Sequence, residues 1–161
     1  MVRGADSFQT ISYNNLRLIM ENDNITKGVL TELKCITKLI ELGYNVAIPQ
    51  KPTRYDFILD TGINLYKVQA KTSSVDKNNE TIYFPTESRR KGTNKTICHH
   101  YKNDNIDFFC TWYNNNCYLI PVKDCGVHEK RLRLCPTRNG QVKNITFAKD
   151  CLAQEVLSKL L

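Results

Sequence analysis

The pattern that most constrains the fold is a helical run of apolar residues that ends at a glycine and is followed by short strands. The run spans residues 26–42, where Thr26 is the predicted N-cap and Gly43 the predicted stop. The stripe that we expect to be buried consists of Val29, Leu33, Ile36 and Ile40. Glu32 lies at the edge of this stripe, so its carboxylate needs a partner such as a cation, a metal or a backbone donor.

After this helix the apolar residues alternate with period two, which predicts strands joined by turns. Strands are predicted over residues 45–48, 55–59, 65–72, 81–84, 106–112, 117–121 and 131–135. A turn at 60–62 joins the second and third strands in a hairpin, which places Asp56 beside the strand that carries Gln69 and Lys71. One face of that strand carries Lys67, Gln69 and Lys71, and its other face meets the helix-covered core.

The remaining segments carry weaker patterns. Residues 86–102 are polar and basic with little periodicity, which predicts a loop leading to a short helical turn. Residues 148–161 carry leucine and valine at helical spacing and predict a C-terminal helix. A chain of 161 residues suits one folding unit, so we expect a single domain over residues 1–161.

The chain is basic, with 23 Lys and Arg against 16 Asp and Glu, a net charge of +7 and a pI of about 9.0. This balance suits a polyanionic partner, because lysine and arginine gain affinity by displacing counterions from phosphates. Two basic segments are the predicted contacts, with Arg89, Arg90, Lys91 and Lys95 in the first and Lys130, Arg131, Arg133 and Arg138 in the second. Taken alone, the first segment fits a solvated surface loop better than a DNA contact.

Seven cysteines are spread singly through the chain, and no two have Cys-x-x-Cys spacing. This favours free thiols, mostly buried, in a reducing compartment. There are two groups of candidate zinc ligands. One is Cys125, His128 and Cys135, and the other is Cys98, His99 and His100. Neither group has the paired spacing of a structural zinc site. No segment has the length of a membrane span and no signal peptide is recognisable, so we expect a cytoplasmic protein without membrane association.

The order of the polar residues resembles that of the PD-(D/E)XK nuclease superfamily. The matching residues are Lys27-Gly28 with Glu32, then Tyr55-Asp56, then Val68-Gln69-Ala70-Lys71-Thr72-Ser73. The resemblance implies an α/β fold with a restriction-endonuclease-like core, in which a mixed β-sheet is flanked by helices. It implies a catalytic core over about residues 25–75, with DNA-contacting and structural additions over about residues 86–140.

One branch of that superfamily is similar over more of the chain. Small endonucleases encoded within bacterial group I introns also have Val-Gln-x-Lys-Thr, and they resemble this sequence at Tyr101, at residues 106–109 and at residues 118–121. Archaeal Holliday-junction resolvases share the Lys-Gly and helix-Glu pattern but normally carry an acidic residue where Gln69 stands. The intron-endonuclease resemblance implies a site-specific homing endonuclease that cuts double-stranded DNA as a homodimer or homotetramer.

The resemblance also implies roles for the matching residues. The expected cofactor is Mg²⁺, with Mn²⁺ as a substitute, and no small-molecule cofactor is expected. Asp56 would anchor the metal, with the side-chain oxygen of Gln69 and the backbone carbonyl of Ala70 as further ligands. Lys71 would lower the pKa of the attacking water or steady the developing charge. Glu32 would hold a metal-bound water or a second ion.

Gln69 is where the sequence departs from the superfamily's name. An amide supplies one neutral oxygen, so the site has one negative charge fewer and is expected to bind metal more weakly. Two alternatives to the homing role stay open. The first is a Holliday-junction resolvase or restriction-type nuclease, and the second is a catalytically inactive DNA-binding protein with the same fold.

Overall fold

The computed structural model describes residues 23–93, 95–102 and 104–160, without the side chains of Arg90 and Lys91. Its helices are α1 (Asn24–Glu41) and α2 (Ala153–Leu157), with 3₁₀ turns at Val122–Asp124 and Ala148–Cys151. Its strands are β1 (Asn45–Ala47), β2 (Phe57–Asp60), β3 (Leu65–Ala70), β4 (Ser74–Val75), β5 (Thr81–Pro85), β6 (Glu87–Lys91), β7 (Thr96–His100), β8 (Phe108–Tyr113), β9 (Asn116–Pro121) and β10 (Glu129–Arg133). Among the described residues, no helix is long and apolar enough to cross a membrane.

Helix α1 begins earlier than the sequence predicted. Its N-cap is Asp23, whose carboxylate accepts a hydrogen bond from the backbone N–H of Thr26 at 3.2 Å. The predicted cap, Thr26, therefore lies inside the first turn, where it is a donor to the cap. The predicted end is confirmed, because Gly43 adopts a φ of 91° that favours glycine and its N–H donates to the carbonyl of Ile40.

The predicted buried stripe of α1 is wrong at three of its four positions. Val29, Leu33 and Ile40 are 49%, 50% and 56% exposed, whereas Ile36 is buried as predicted. The face that rests on the sheet carries Thr31, Cys35, Ile36 and Leu39. The helix is thus apolar on two adjacent sides that meet at Ile36, and periodicity alone does not indicate which side meets the sheet.

Five strands form a mixed sheet in the order β1-β2-β3-β8-β9, as the fold class predicted. Strand β3 pairs with β8 in parallel, and the other neighbouring strands pair antiparallel. Helices α1 and α2 cover one face of this sheet, where Leu39, Phe57 and Val68 belong to one buried cluster. Strands β5 and β10 contribute to a second cluster on the other face, which includes Phe84 and Phe109.

The predicted hairpin of β2 and β3 is confirmed, with Phe57 opposite Val68 and a turn in which Gly62 has a φ of 78°. The second strand begins at Phe57 rather than at residue 55, and the third ends at Ala70 rather than at residue 72. The chain leaves the sheet at these two points, so the catalytic candidates lie at strand ends rather than within strands. The hairpin of β8 and β9 is also confirmed, with both turn residues, Asn114 and Asn115, at positive φ.

The loop predicted over residues 86–102 is instead a two-stranded antiparallel ribbon, formed by β6 and β7. We call residues 87–100 the ribbon. All five residues of β7 are exposed, so no buried face imposes an apolar alternation that the sequence could reveal. The ribbon is held by backbone hydrogen bonds, which leave little trace in the residue pattern.

The C-terminal helix predicted over residues 148–161 is also broken. A 3₁₀ turn over Ala148–Cys151 is followed by the short helix α2, and residue 161 lies outside the described residues. Between them Leu152 is extended and forms an isolated bridge with Tyr118 of β9, which interrupts the helical hydrogen bonds. The last strand, β10, covers Glu129–Arg133 rather than residues 131–135, because it pairs with β5 through Arg133 and Thr81.

Candidate active site

Asp56, Gln69 and Lys71 meet where the β2–β3 hairpin adjoins β8. Asp56 directly precedes β2, and its N–H donates to the carbonyl of Val68 at 2.9 Å, which fixes it beside the end of β3. Lys71 directly follows β3, and its N–H donates to the carbonyl of Cys110 at 2.9 Å. The parallel pairing of β3 with β8 is thereby extended by one residue, so the backbone on both sides of Ala70 is fixed.

The carboxylate of Asp56 is bonded to the end of β3. Its Oδ2 accepts hydrogen bonds from the N–H of Ala70 at 2.7 Å and from Nε2 of Gln69. The same Nε2 also donates to the carbonyl of Ala70 at 3.2 Å. Two oxygens, one charged and one neutral, therefore converge on a single amide nitrogen.

Glu32 approaches the same place from α1, where it is half-buried. The adjacent Thr31 shares a hydrogen bond of 3.2 Å with the hydroxyl of Thr72, which ties the helix to the chain just beyond β3. Burial raises the pKa of Glu32, and the negative charge of Asp56 raises it further. Burial also raises the pKa of Asp56, although its hydrogen bonds to Ala70 and Gln69 and the charge of Lys71 act in the opposite direction. The two carboxylates thus repel each other in a place that disfavours charge.

Lys71 is the cation of this group. Burial lowers the pKa of its ammonium, the nearby Asp56 raises it, and Arg54 lowers it again. Its Nζ donates to the carbonyl of Glu87 at 3.3 Å and to the hydroxyl of Tyr101 at 3.4 Å. The ammonium is thus aimed by the ribbon and the residue that follows it, and the lowered pKa means that Lys71 loses a proton more readily than a solvated lysine does.

The structure brings together all five predicted members of the site, Glu32, Asp56, Gln69, the Ala70 carbonyl and Lys71. It adds Arg54, which sequence reasoning missed, and it places Tyr101 in contact with the group. The guanidinium of Arg54 lies 4.8 Å from the centre of the Tyr101 ring and donates to the carbonyl of His100 at 3.2 Å. No local sequence pattern marks Arg54, because its contacts with Tyr101 and His100 depend on how the ribbon returns to the sheet.

The donors of this site fit a hard divalent cation. Asp56 Oδ2 and the Ala70 carbonyl already point at one place, and the carboxylate of Glu32 is close enough to raise the pKa of neighbouring groups. Within the part of the chain that the structure describes, no three His, Cys, Asp or Glu side chains are grouped to hold a metal. A cation held here would use a backbone carbonyl and an amide oxygen besides the two carboxylates, and such a set of oxygen ligands fits Mg²⁺ or Mn²⁺ better than zinc.

The basic segments lie outside this group. In the ribbon, Lys95 is exposed at the turn, whereas Arg89 is exposed but donates to Oε1 of the buried Glu87 at 2.6 Å. The second segment runs along β10, where Arg133 is bound to Glu80 at 2.8 Å and Arg131 lies over the ring of Tyr83. The other predicted contacts are Lys130, which donates to Asp124 and Thr146, and Arg138, whose guanidinium is 3.6 Å from Glu80.

Comparison with known proteins decides the family. A family model described as PD-(D/E)XK endonuclease matches residues 22–153. The chain belongs to the PD-(D/E)XK endonuclease family. The resemblance and the fold class inferred from the sequence are therefore confirmed, and the match extends well beyond the short motifs that suggested it.

The fold of this PD-(D/E)XK endonuclease is also similar to a solved structure. The structure of the bacterial homing endonuclease I-Ssp6803I matches with a TM-score of 0.67 and 20% sequence identity, over 85% of this chain and 95% of that chain. At this identity the likeness shows a shared fold. A search of curated protein sequences gave no match.

Proposed function

We propose that this protein is a site-specific homing endonuclease that cuts both strands of duplex DNA, with Mg²⁺ as its cofactor and Mn²⁺ as a substitute. The observation that carries the proposal is the convergence of Asp56, the Ala70 carbonyl and Gln69 beside the ammonium of Lys71. Family membership supports endonuclease chemistry. The likeness in fold to a bacterial homing endonuclease supports the homing role, with an intron as the expected location of the gene and the cytoplasm as the expected location of the protein.

The chemistry follows from the residues at the end of β3. Asp56, the Ala70 carbonyl and the Gln69 oxygen would hold the cation, and Glu32 would bind one of its waters or a second ion. When bound, such a cation neutralises charge on the phosphate and acidifies a water. Lys71 steadies the charge that develops on the phosphate oxygens, or accepts a hydrogen bond from the attacking water in its neutral form.

Arg54 offers a second cation at the same place. Its guanidinium is fixed over Tyr101 and bonded to His100, which leaves donors free to face a phosphate. We therefore assign Arg54 to the binding of the DNA backbone beside the reacting bond. Because it lowers the pKa of Lys71, it also favours the neutral amine when no DNA is bound.

The ribbon is the proposed element for reading DNA sequence. The major groove is about 12 Å wide and accepts a two-stranded ribbon of this kind. The ribbon carries Arg89, Arg90, Lys91 and Lys95 and is joined to the active site through Tyr101. The groups on and beside β10, including Arg131, Arg133 and Arg138, are proposed as further contacts to phosphates. Among these, the ion pair with Glu80 makes Arg133 the least available.

We also propose that two copies of the chain act together, as a homodimer or as the pairs of a homotetramer. One chain supplies one Lys71 and one Asp56, and a double-strand break requires two such centres. The exposed stripe of α1, formed by Ile25, Val29, Leu33 and Ile40, is the proposed docking surface for the second copy.

The proposal is tested with plasmid DNA that carries the intron-free form of the host gene, in the presence of Mg²⁺ or of EDTA. We expect linear product with Mg²⁺ and none with EDTA. Lys71→Ala is expected to slow cleavage by roughly 100-fold or more. The matched control is Lys67→Ala, because Lys67 lies four residues before Lys71, within β3, and is exposed. It is expected to cut at nearly the normal rate.

Two results would favour the alternatives. Cleavage of four-way junctions, with no cleavage of linear duplex, would support a junction resolvase. Salt-dependent binding of duplex DNA without cleavage of any substrate would support an inactive DNA-binding protein.

A further inference from the structure

We propose that Tyr101 is a positioning residue that allows the Gln69 amide to take two orientations, one that shields Asp56 in the metal-free protein and one that offers its oxygen to the cation. The inference rests on the proposed function, because it treats Gln69 as a metal ligand. It concerns the hydroxyl of Tyr101, which contacts both Gln69 and Lys71.

In the first orientation, the amide nitrogen occupies the cation's place. Nε2 of Gln69 donates to Asp56 Oδ2 and to the Ala70 carbonyl, so one amide group satisfies both of the oxygens that would bind a metal. The amide oxygen points away, and it accepts a hydrogen bond from the hydroxyl of Tyr101 at 3.3 Å. Every polar atom of the amide is therefore engaged without a metal.

In the second orientation, the ends of the amide are exchanged. Rotation by half a turn about the last side-chain bond points the Gln69 oxygen at Asp56 and the Ala70 carbonyl, where three oxygens meet and a cation between them is favoured. Nε2 then faces Tyr101 and requires an acceptor. A phenolic hydroxyl can either donate or accept, so Tyr101 serves both orientations without moving its ring.

The surroundings hold the ring in place. The Tyr101 ring packs edge-on against Phe109 at 5.4 Å, with Arg54 at 4.8 Å and Lys71 at 4.7 Å from its centre. Burial raises the pKa of Tyr101, which keeps the hydroxyl proton available, and hydrogen bonding by Ser88 lowers it in part. A serine hydroxyl such as that of Ser88 can also accept a hydrogen bond from the Tyr101 hydroxyl when the phenolic oxygen accepts from Nε2.

Lys71 explains why the hydroxyl is required in the second orientation in particular. Its Nζ lies 3.4 Å from the Tyr101 oxygen, which itself lies 3.3 Å from the Gln69 oxygen. Without the hydroxyl, the ammonium can replace it as donor to the Gln69 oxygen in the first orientation. In the second orientation the ammonium would face the amide NH₂, and two donors would oppose each other. Loss of the hydroxyl therefore disfavours the metal-binding orientation.

The test measures Mn²⁺ binding to the full-length protein without DNA, by electron paramagnetic resonance of the free ion. We expect Tyr101→Phe to weaken Mn²⁺ binding by about 3- to 10-fold, the equivalent of one lost hydrogen bond. In Gln69→Glu protein, Tyr101→Phe is expected to change the affinity by less than about 2-fold, because a carboxylate presents oxygen in either orientation. Thermal melting of each variant confirms that it is folded.

The outcomes separate this inference from the proposed function. If Tyr101→Phe binds Mn²⁺ as tightly as wild type, or if it weakens binding equally in both backgrounds, the amide does not depend on Tyr101 and the inference is wrong. Cleavage and Mn²⁺ binding by the wild type would leave the proposed function intact in that case. If the wild type neither binds Mn²⁺ nor cuts DNA, both are overturned.

Discussion

The amide of Gln69 donates a hydrogen bond to the same Asp56 oxygen that accepts from the Ala70 N–H. Without a metal, these two hydrogen bonds stabilise the Asp56 carboxylate. An acidic residue at position 69 would instead place a second carboxylate against Asp56, in a setting that already raises the pKa of Asp56. The amide therefore stabilises the empty site and supplies less charge to a cation. This relationship leads to the first prediction.

Gln69→Glu is expected to strengthen Mn²⁺ binding by roughly 5- to 10-fold, because the site gains a negative charge. In EDTA the same variant is expected to melt below the wild type, because two carboxylates then face each other without a cation. Calorimetric titration measures the first effect and thermal melting with and without metal measures the second. A variant that melts above the wild type in EDTA would contradict the argument.

Glu32→Gln is expected to raise the melting temperature of the metal-free protein by roughly 1–3 °C near neutral pH. The folded protein raises the pKa of Glu32 above its usual 4.5, so its ionised form is destabilising. The loss of folding stability caused by ionised Glu32 is fully present above its raised pKa. It disappears as pH falls through the usual pKa of glutamate, because Glu32 is then protonated in both the folded and the unfolded protein. The stabilisation by glutamine should therefore fade towards about pH 4.

Melting curves of wild type and Glu32→Gln across that pH range, in EDTA, measure the difference. Glu41→Gln is the matched control on the same helix, because Glu41 is exposed and pairs with Lys38 at 3.1 Å. If Glu32→Gln raises the melting temperature by the same amount in acid as near neutral pH, the charge of Glu32 is not the cause of the stabilisation.

We expect DNA bound to the ribbon to protect the thiol of Cys98 from alkylation. It is exposed and lies opposite Arg89, whereas burial raises the pKa of Cys125 to about 12 and of Cys151 to about 11. Iodoacetamide should therefore modify Cys98 readily, and duplex DNA in EDTA should slow this reaction by about 10-fold or more. Mass spectrometry of the peptide that contains Cys98 measures the rate.

High salt provides the control for this protection, because it releases DNA from basic surfaces without changing the thiol. The protection of Cys98 should then disappear. Unchanged alkylation of Cys98 at saturating DNA and low salt would show that this face of the ribbon does not contact the duplex.

Leu33→Asp is expected to dissociate the protein into monomers, because it places a charge at the centre of the exposed stripe of α1. Lys34→Asp is the matched control, since Lys34 is the next residue and is exposed on a side of the helix away from the stripe. Light scattering after gel filtration gives the mass of each. With plasmid DNA, the Leu33→Asp monomer should nick one strand more often than it cuts both. A wild-type monomer, or a Leu33→Asp protein of unchanged mass, would contradict the proposed interface.

The parts of the fold that the sequence predicts correctly are those with one buried face. Strand β3 is an example, because Val68 faces the core while Gln69 faces the site, and the alternation follows this difference. The ribbon lacks such a face and was predicted as a loop. Periodicity favours the most apolar side of a helix, and in α1 this is the exposed stripe. The side that is buried contains Thr31 and Cys35, so it is less apolar than the stripe.

The sequence predicted the main residues of the candidate site but not all of the contacts between them and their neighbours. Glu32, Asp56, Gln69 and Lys71 fall in a recognisable order along the chain. The positions of Arg54 and Tyr101 depend on how the ribbon returns to the sheet, and a distant return of this kind has no local signature. Sequence order therefore indicated which groups meet at the candidate site, whereas the contacts of Arg54 and Tyr101 with them required the folded structure.

The ribbon has a consequence for how this enzyme can change over generations. In the described part of the chain, β6 and β7 pair with each other and with no other strand. Substitutions at exposed positions such as Thr96 and Ile97 thus alter the surface offered to DNA with little repacking, whereas changes at the buried Glu87 disturb the base of the ribbon. If the ribbon reads DNA as proposed, new target sequences can evolve through a few ribbon residues while the chemistry stays fixed, so recognition and cutting can diverge at different speeds.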